Sequence, residues 1–416
     1  MENSSVEQAF AWAKEKYQEV GVEVDTALEK LGSVPLSVHC WQGDDVTGFE
    51  PGRATLAGSG LAVTGSYPGR ARNAAELRQD LDKALSLIPG RHRVNLHAMY
   101  GEFAGPVDRD SITSEHYRGW LDWARARRLG LDFNSTLFAH PKAESGFTLS
   151  STDEGVRRFW VEHVRRSREV SAFLGRELKI PCIHNLWIPD GAKDAVVDRW
   201  ERRSILRKSL DEIFAAQYPV TEMKDSLEGK LWGLGSESFV VGSYDFYLGY
   251  ALSRGIMLCL DTGHFHPTES VADKVSAILQ FSGELLVHVS RGVRWDSDHV
   301  VVLDDAVREL MVEVVRAGAL ERVHCALDYF DAGMNRIAAW VIGARATLKA
   351  LLTSLLEPKA RLHELDQAGR LALLEQMKVM PFGAVWDQYC LRAGVPAGQD
   401  WLADVRRYEA EVLHRR

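Results

Sequence analysis

Cysteine is scarce in this chain and never paired. Cys40, Cys182, Cys259, Cys325 and Cys390 lie far apart with no Cys-x-x-Cys spacing. Such an odd, scattered set argues against a disulfide framework and against a thiolate zinc cluster. No apolar run approaches the roughly 18 residues that a membrane-spanning helix needs. The opening Met1-Glu2-Asn3-Ser4-Ser5 has neither a basic n-region nor an apolar h-region, so no signal peptide is expected and a cytoplasmic location is. Basic excess is missing too: 50 Lys and Arg face 58 Asp and Glu, a formal charge of -8, which argues against a nucleic-acid partner. Neither Gly-x-Gly-x-x-Gly nor a P-loop pattern occurs, so the usual phosphate-cradling turns are absent.

What is present suits a globular enzyme: 416 residues, 46% hydrophobic and 26% charged. Ser4 and Glu7 read as a capping box ahead of Val6, Phe10, Ala13, Tyr17 and Val20, an amphipathic opening helix. Eight short apolar runs then recur at 36–41, 94–99, 129–133, 182–188, 231–234, 256–260, 285–289 and 323–327. They are nearly continuous rather than alternating, as strands buried on both faces are. Helical patterns separate them. One is capped by Asn73 and Glu76 and stops at Pro89-Gly90; others run over about 152–178, 192–216 and 304–315. The order predicts a (β/α)8 barrel over residues 1–333 including the opening helix. An open doubly wound sheet would want a Gly-rich turn after its first strand. Residues 334–416 read as a helical extension packed on the barrel or on another subunit. The segment 42–69 holds seven glycines, and so long a loop in a compact domain is usually functional.

Polar residues collect just past the predicted strands, where barrel enzymes build their sites. The densest groups are Asp261-Thr262-Gly263-His264-Phe265-His266-Pro267 and a second running from His288 to His299 that contains Asp296 and Asp298. An Asp-x-Asp pair in extended backbone sends both carboxylates to one side, where they repel unless a cation lies between them. Glu237, Asp261, His288 and Asp328 can form one all-protein metal site; His264, Asp296 and Asp298 can form a second, more open one. Oxygen and imidazole donors without thiolate favour Mn²⁺, Co²⁺, Mg²⁺ or Zn²⁺.

These motifs resemble the L-rhamnose isomerases of the enterobacterial type along nearly the whole chain. The likeness is carried by Val38-His39-Cys40-Trp41-Gln42-Gly43-Asp44-Asp45, Asn95-Leu96-His97-Ala98, Trp187-Ile188-Pro189-Asp190-Gly191, Arg294-Trp295-Asp296-Ser297-Asp298-His299 and Asn335-Arg336-Ile337-Ala338-Ala339-Trp340. Differences such as Thr262 and Tyr329 leave the metal-ligand candidates untouched. The resemblance implies a (β/α)8 barrel, an Mn²⁺ requirement with Co²⁺ or Zn²⁺ as candidates for one of two sites, and a cytoplasmic homotetramer. It further implies interconversion of L-rhamnose and L-rhamnulose. The family's catalytic metal site carries onto His264, Asp296 and Asp298, and its enclosed site onto Glu237, Asp261, His288 and Asp328.

An aldose–ketose isomerisation moves a hydrogen from C2 to C1, either through a base and an enediol or as a hydride. The resemblance points to the metal-assisted hydride shift, with Asp296 and Asp298 orienting the water that relays the oxygen proton. His97 is the candidate proton donor for ring opening. Trp187 and Phe133 are candidate flat walls for sugar C–H faces, and Leu61 and Val63 can enclose the 6-methyl group. The alternative is a metal-dependent sugar lyase or aldolase on the same barrel, which would want phosphate grips that the sequence lacks.

Overall fold

The computed structural model of the chain describes residues 3–41, 48–51, 67–230, 238–266, 268–293, 298–331 and 333–416. Helices α1 (Asn3–Gln18) and α2 (Val24–Ser33) precede the barrel. Its strands are β1 (Leu36–His39), β2 (His92–His97), β3 (Gly130–Asn134), β4 (Cys182–Trp187), β5 (Met223–Glu228), β6 (Met257–Asp261), β7 (Leu285–Val289) and β8 (Val323–Leu327). All eight pair in parallel in sequence order, and Leu36 opposite Cys325 closes the ring. The helices that follow them in turn are α3 (Ala74–Leu85), α4 (Arg118–Arg127), α5 (Glu154–Leu178), α6 (Arg199–Phe214), α7 (Tyr244–Arg254), α8 (Val271–Ile278), α9 (Asp305–Arg316) and α10 (Arg336–Leu355). The expected (β/α)8 barrel is the architecture, and the open sheet is excluded. At α3 the Asn73 side chain accepts from the Glu76 amide at 2.9 Å, the cap its spacing predicts.

Successive side chains of a strand point to opposite faces. Val94, Leu96, Leu131, Phe133, Leu258, Leu260, Val287 and Val289 join the large core beneath the helices, while Ile183, Met257, Cys259, Leu286 and Ala326 form a separate apolar cluster. That second cluster fills the barrel lumen. Beneath it, near the start of the strands, lie ion pairs: Arg93 with Asp132 at 2.6 Å, and Lys224 with Glu284 at 2.6 Å. His324 joins Glu284 at 2.7 Å. With the bottom and middle of the lumen filled, the space for ligands is at the carboxyl ends of the strands.

One strand is not where its apolar run was expected. The fifth is Met223–Glu228, not 231–234, and residues 231–237 lie outside the described set. Its sequence, Met-Lys-Asp-Ser-Leu-Glu, looks like a loop because nearly every polar side chain has a partner found only in the fold. Lys224 pairs with Glu284, Asp225 with Arg168 of α5 at 2.9 Å, and Glu228 accepts from Asn185 at 2.6 Å.

Helix α10 is apolar and long enough to cross a bilayer, yet 83% of that apolar window is buried inside the protein. It follows β8 and lies against α2, α3 and α9, which explains its composition. Beyond it come α11 (Lys359–Glu364), α12 (Gln367–Met377), α13 (Phe382–Ala393) and α14 (Trp401–Glu411). The chain's end is tied to the barrel: Arg416 donates to both oxygens of the buried Asp80 on α3, at 2.6 and 2.9 Å, and Tyr408 donates to the same carboxylate at 2.6 Å.

Burial would raise the Asp132 carboxyl, but Arg93 and the donors from Ser37 and the Ile183 amide outweigh it and hold its pKa below the ordinary value. The pair's stabilisation is therefore complete above the unfolded-chain value of about 4, and is lost as pH falls through the lower folded value. Asp132→Ala leaves Arg93 buried without its partner and should cost about 3–5 kcal/mol at neutral pH, read as a lower urea midpoint. The deficit should shrink as the pH is taken below 4.

Candidate active site and metal centre

The site is assembled by register. Asp261 at the end of β6 stands opposite His288 of β7, and Glu228 of β5 stands opposite Cys259, two residues before Asp261. His288 in turn faces Ala326, two residues before Asp328. Since parity along a strand decides the face, all four polar side chains enter the lumen at nearly one level. Glu228, Asp261, His288 and Asp328 each offer a ligand atom, and these lie within 4.8 Å of one another. His288 Nδ1 is 3.1 Å from Asp328 Oδ2 and 3.5 Å from both Asp261 Oδ2 and Glu228 Oε2. Asp261, His264 and Asp298 make a second group at the same spacing, so Asp261 belongs to both.

Three carboxylates around one imidazole, almost wholly buried, are electrostatically unbalanced. Burial, reinforced by Asp261 and Asp328 and opposed by His288 and His264, pushes the Glu228 carboxyl up. Burial would lower His288, but Cys259 and the facing carboxylates outweigh it and hold its pKa well above the ordinary value. Burial would raise Asp261 too, but His264, His288 and the Gly263 amide hold it below the ordinary value, so buried acids of opposite tendency crowd one imidazole. Asp261 Oδ2, Asp328 Oδ1 and both ring nitrogens of His288 are buried without a well-formed hydrogen bond. Buried polar atoms are normally satisfied, and a divalent cation among them would satisfy the carboxylate oxygens and one of the ring nitrogens, Nδ1, which the carboxylates face. The donor set fits a hard or borderline ion.

The ligands are held in place from behind. Asp261 Oδ1 accepts from the Gly263 amide at 2.7 Å and from Ser290 Oγ at 3.0 Å, leaving Oδ2 for the shared position. Asn185 Nδ2 donates to Glu228 Oε2 at 2.6 Å. A Cβ at residue 263 would sit 2.4 Å from Asp298 Oδ1 and 2.8 Å from Ser290 Oγ, so any larger residue than glycine would displace these side chains from the site.

Above these side chains opens a cavity lined by Trp41, His97, Phe138, Trp187 and Phe330. One wall is aromatic: Trp41 stacks on Phe330 at 6.0 Å, His97 meets Trp41 at 5.0 Å and Phe138 at 5.6 Å, and Phe138 meets Trp187 at 5.7 Å. Asn134, Asn185 and Lys230 add polar groups. His97 is pulled down to about 3 by burial, then by the charges of Arg109 and His288, so it is a neutral imidazole at physiological pH.

Of the residues expected from sequence, His264, Asp261, His288, Asp298 and Asp328 converge, and His97 and Trp187 line the cavity. Asp296, Glu237, Leu61 and Val63 lie outside the described residues. The carboxylate that β5 contributes is Glu228. Phe133 is a correction: it faces away from the lumen and packs edge-on against Tyr117 at 4.9 Å, since Asp132 and Asn134 take the inward parity. Phe138, from the loop after β3, is the ring that reaches the cavity. His184 also turns outward, bridging Ser135 at 2.9 Å and Asp225 at 3.0 Å. Sequence reasoning missed Glu228, Phe138 and Phe330. Only Glu228 left a signal, as the last of the alternating Lys224, Ser226 and Glu228.

Asn185→Leu should free the Glu228 carboxylate from its only orienting amide among the described contacts. Such support is typically worth about 10–100-fold in metal affinity, and titration calorimetry with Mn²⁺ is the check.

A family model described as L-rhamnose isomerase (RhaA) matches residues 4–416. The L-rhamnose isomerase of Rhodopirellula baltica is 56% identical over 99% of this chain and 97% of its own. That of Escherichia coli K12 is 52% identical over 99% of each. A solved D-psicose 3-epimerase from Clostridium cellulolyticum H10 is similar at 12% identity and TM-score 0.48, covering 78% of this chain and 99% of that one. A match of this length, over a barrel whose strand ends converge on two carboxylate–imidazole groups, leaves one conclusion: the chain belongs to the L-rhamnose isomerase family.

Proposed function

We propose that this enzyme interconverts L-rhamnose and L-rhamnulose, using divalent cations held by Glu228, Asp261, His288 and Asp328 and by His264 and Asp298 together with Asp296. The observation that carries the reading is the sharing of Asp261 between two ligand groups beneath an aromatic-walled cavity that also presents Asn134, Asn185 and Lys230. Ions bound there supply Lewis acidity towards neighbouring oxygens of an aldose. Mn²⁺ is the proposed occupant, as the resemblance to the enterobacterial enzymes implies, with Co²⁺ or Zn²⁺ for one position. A cytoplasmic homotetramer is proposed on the same ground; light scattering should return four times 46.6 kDa. Nothing in the family match supports the lyase or aldolase alternative.

The chain's own residues divide the remaining work. Trp41 and Trp187 offer flat faces to the sugar's C–H groups, and their indole N–H groups, buried without partners, are donors for its hydroxyls. His97, neutral and hydrogen-bonded to Thr136 at 3.0 Å, is placed to exchange a proton during ring opening. The described carboxylates lining the cavity are Glu228, Asp298 and Asp328, and each belongs to a ligand group. None is left over to serve as a dedicated C2 base, which favours a direct hydride shift from C2 to C1.

Four outcomes follow. Chelation should abolish turnover, and Mn²⁺ or Co²⁺ should restore it; full activity after rigorous metal removal defeats the reading. Asp298→Asn should lower turnover by more than about 100-fold, since even residues that merely support ligands cost about 10–100-fold. Asp261→Asn should do the same and also lower the melting temperature, because an ion bound only to the native state stabilises it. Finally, deuterium at C2 should remain in the L-rhamnulose formed, and reaction in deuterated water should leave C1 unlabelled by NMR; solvent deuterium at C1 indicates the enediol route instead.

A further inference from the structure

Arg109 stands outside every ligand group and does not line the cavity, yet it is one of the most deeply buried charges in the described chain, with a side chain 1% exposed. It lies in a single turn of 3-10 helix (Arg109–Ser111) between β2 and α4. All five of its guanidinium N–H donors are engaged. Nε and one Nη donate to Glu50 at 3.0 and 2.8 Å. The others take the carbonyls of Thr136 at 2.8 Å, Phe138, and Ala139 at 3.2 Å. The Thr136 amide is fixed from the other side by His163 Nε2 at 2.9 Å, and His163 Nδ1 meets the Arg109 carbonyl at 3.0 Å.

The turn held in this way is 136–139. Thr136 Oγ1 is the 3.0 Å partner of His97, and Phe138 contributes its ring to the cavity wall. The turn ends at Ala139 with φ +51°, a left-handed conformation that residues with a Cβ rarely adopt unaided. Glu50 sits in the segment 48–51, which is seated by the Phe49 amide on the Met99 carbonyl at 2.8 Å.

We propose that Arg109 is a positioning residue for the isomerisation, acting through the 136–139 turn to set the orientation of His97 and of the Phe138 ring, with Glu50 holding its fork in register. A neutral filler would serve packing equally well. A planar group with five fixed donors is suited to gathering three carbonyls and a carboxylate at once. The assignment rests on the isomerase reading for its kinetic consequences, but not for the geometry it predicts.

The test is a double-mutant cycle with the Mn²⁺-loaded enzyme and L-rhamnose. Thr136→Val removes the bond to His97 and should lower kcat at least about tenfold, with Thr136→Ser restoring most of it; a misplacement near 1 Å can cost about 100-fold. Arg109→Lys, which cannot reproduce the fork, should lose at least as much. Adding Thr136→Val to it should cost no more than about twofold further, because the two act in one chain. Glu50→Gln carries the same cycle if Arg109→Lys fails to fold. Mn²⁺ affinity by calorimetry should stay within about threefold of the parent throughout, separating positioning from loss of the metal site. Crystal structures of Arg109→Lys or Glu50→Gln should show the 136–139 turn and the His97 ring displaced. Fully multiplicative losses, an unaffected Thr136→Val, or an unmoved turn and His97 would overturn the proposal. A parent enzyme inactive on L-rhamnose would count against the functional reading instead, and the variant crystal structures would still decide this one.

Discussion

Everything at the top of this barrel depends on the register of four adjacent strands. Glu228 faces Cys259, Asp261 faces His288, and His288 faces Ala326. The acids are therefore on the inward parity of β5, β6 and the end of β8. A slip of one residue would turn an acid into the helix layer and bring Leu227, Leu260 or Leu327 into the lumen. Backbone pairing alone does not prefer one register, so the apolar parity fixes it: the leucines that must lie beneath the helices force the acids inward.

That forced convergence has an electrostatic consequence. Three carboxylates and two imidazoles within a few ångströms are a poor structural arrangement without further positive charge, and burial with the neighbouring acids pushes the Glu228 carboxyl up while the facing carboxylates hold His288 high. Elsewhere among the described residues several buried charges sit in matched pairs, and the buried carboxylate of Asp190 accepts from the amides and hydroxyls of Thr148 and Ser150. Arg93 meets Asp132, Arg168 meets Asp225 and Arg109 meets Glu50, each at 2.6–2.9 Å. The contrast locates the functional site more sharply than cavity size does, because a larger cleft between the starts of α8 and α9 contains neither described ligand group.

Support for the site is distributed by distance from it. Asn185, Ser290 and the Gly263 amide fix individual carboxylate oxygens. Further out, His184, Asp225 and Arg168 link β4, β5 and α5, and Arg109 fixes the turn that carries Phe138. These side chains use rigid, directional donors, which is how a loop at the mouth of a barrel acquires the precision of the strands beneath it.

By itself the sequence determined the class of fold and the chemistry. Short Val, Ile and Leu runs alternating with capped helices are a parallel barrel in outline, and Asp261, His264, His288, Asp298 and Asp328 announce a hard-metal site by type and position. Seven of the eight strands were legible because each carries Val, Ile, Leu or Phe on the face beneath the helices, even where, as in β2 and β3, the lumen face is polar. The exception, Met223–Glu228, was not: its polar side chains find Glu284, Arg168 and Asn185 only after folding, so its hydrophobic signal is interrupted although most of the strand is buried. Only the tertiary structure decided that Glu228 joins Asp261, His288 and Asp328 in the enclosed group and that Asp261 is shared between two groups. It also decided that Phe138 rather than Phe133 walls the cavity. In each case the deciding quantity is which face of a strand or loop a side chain occupies, and that is set by partners distant in the sequence.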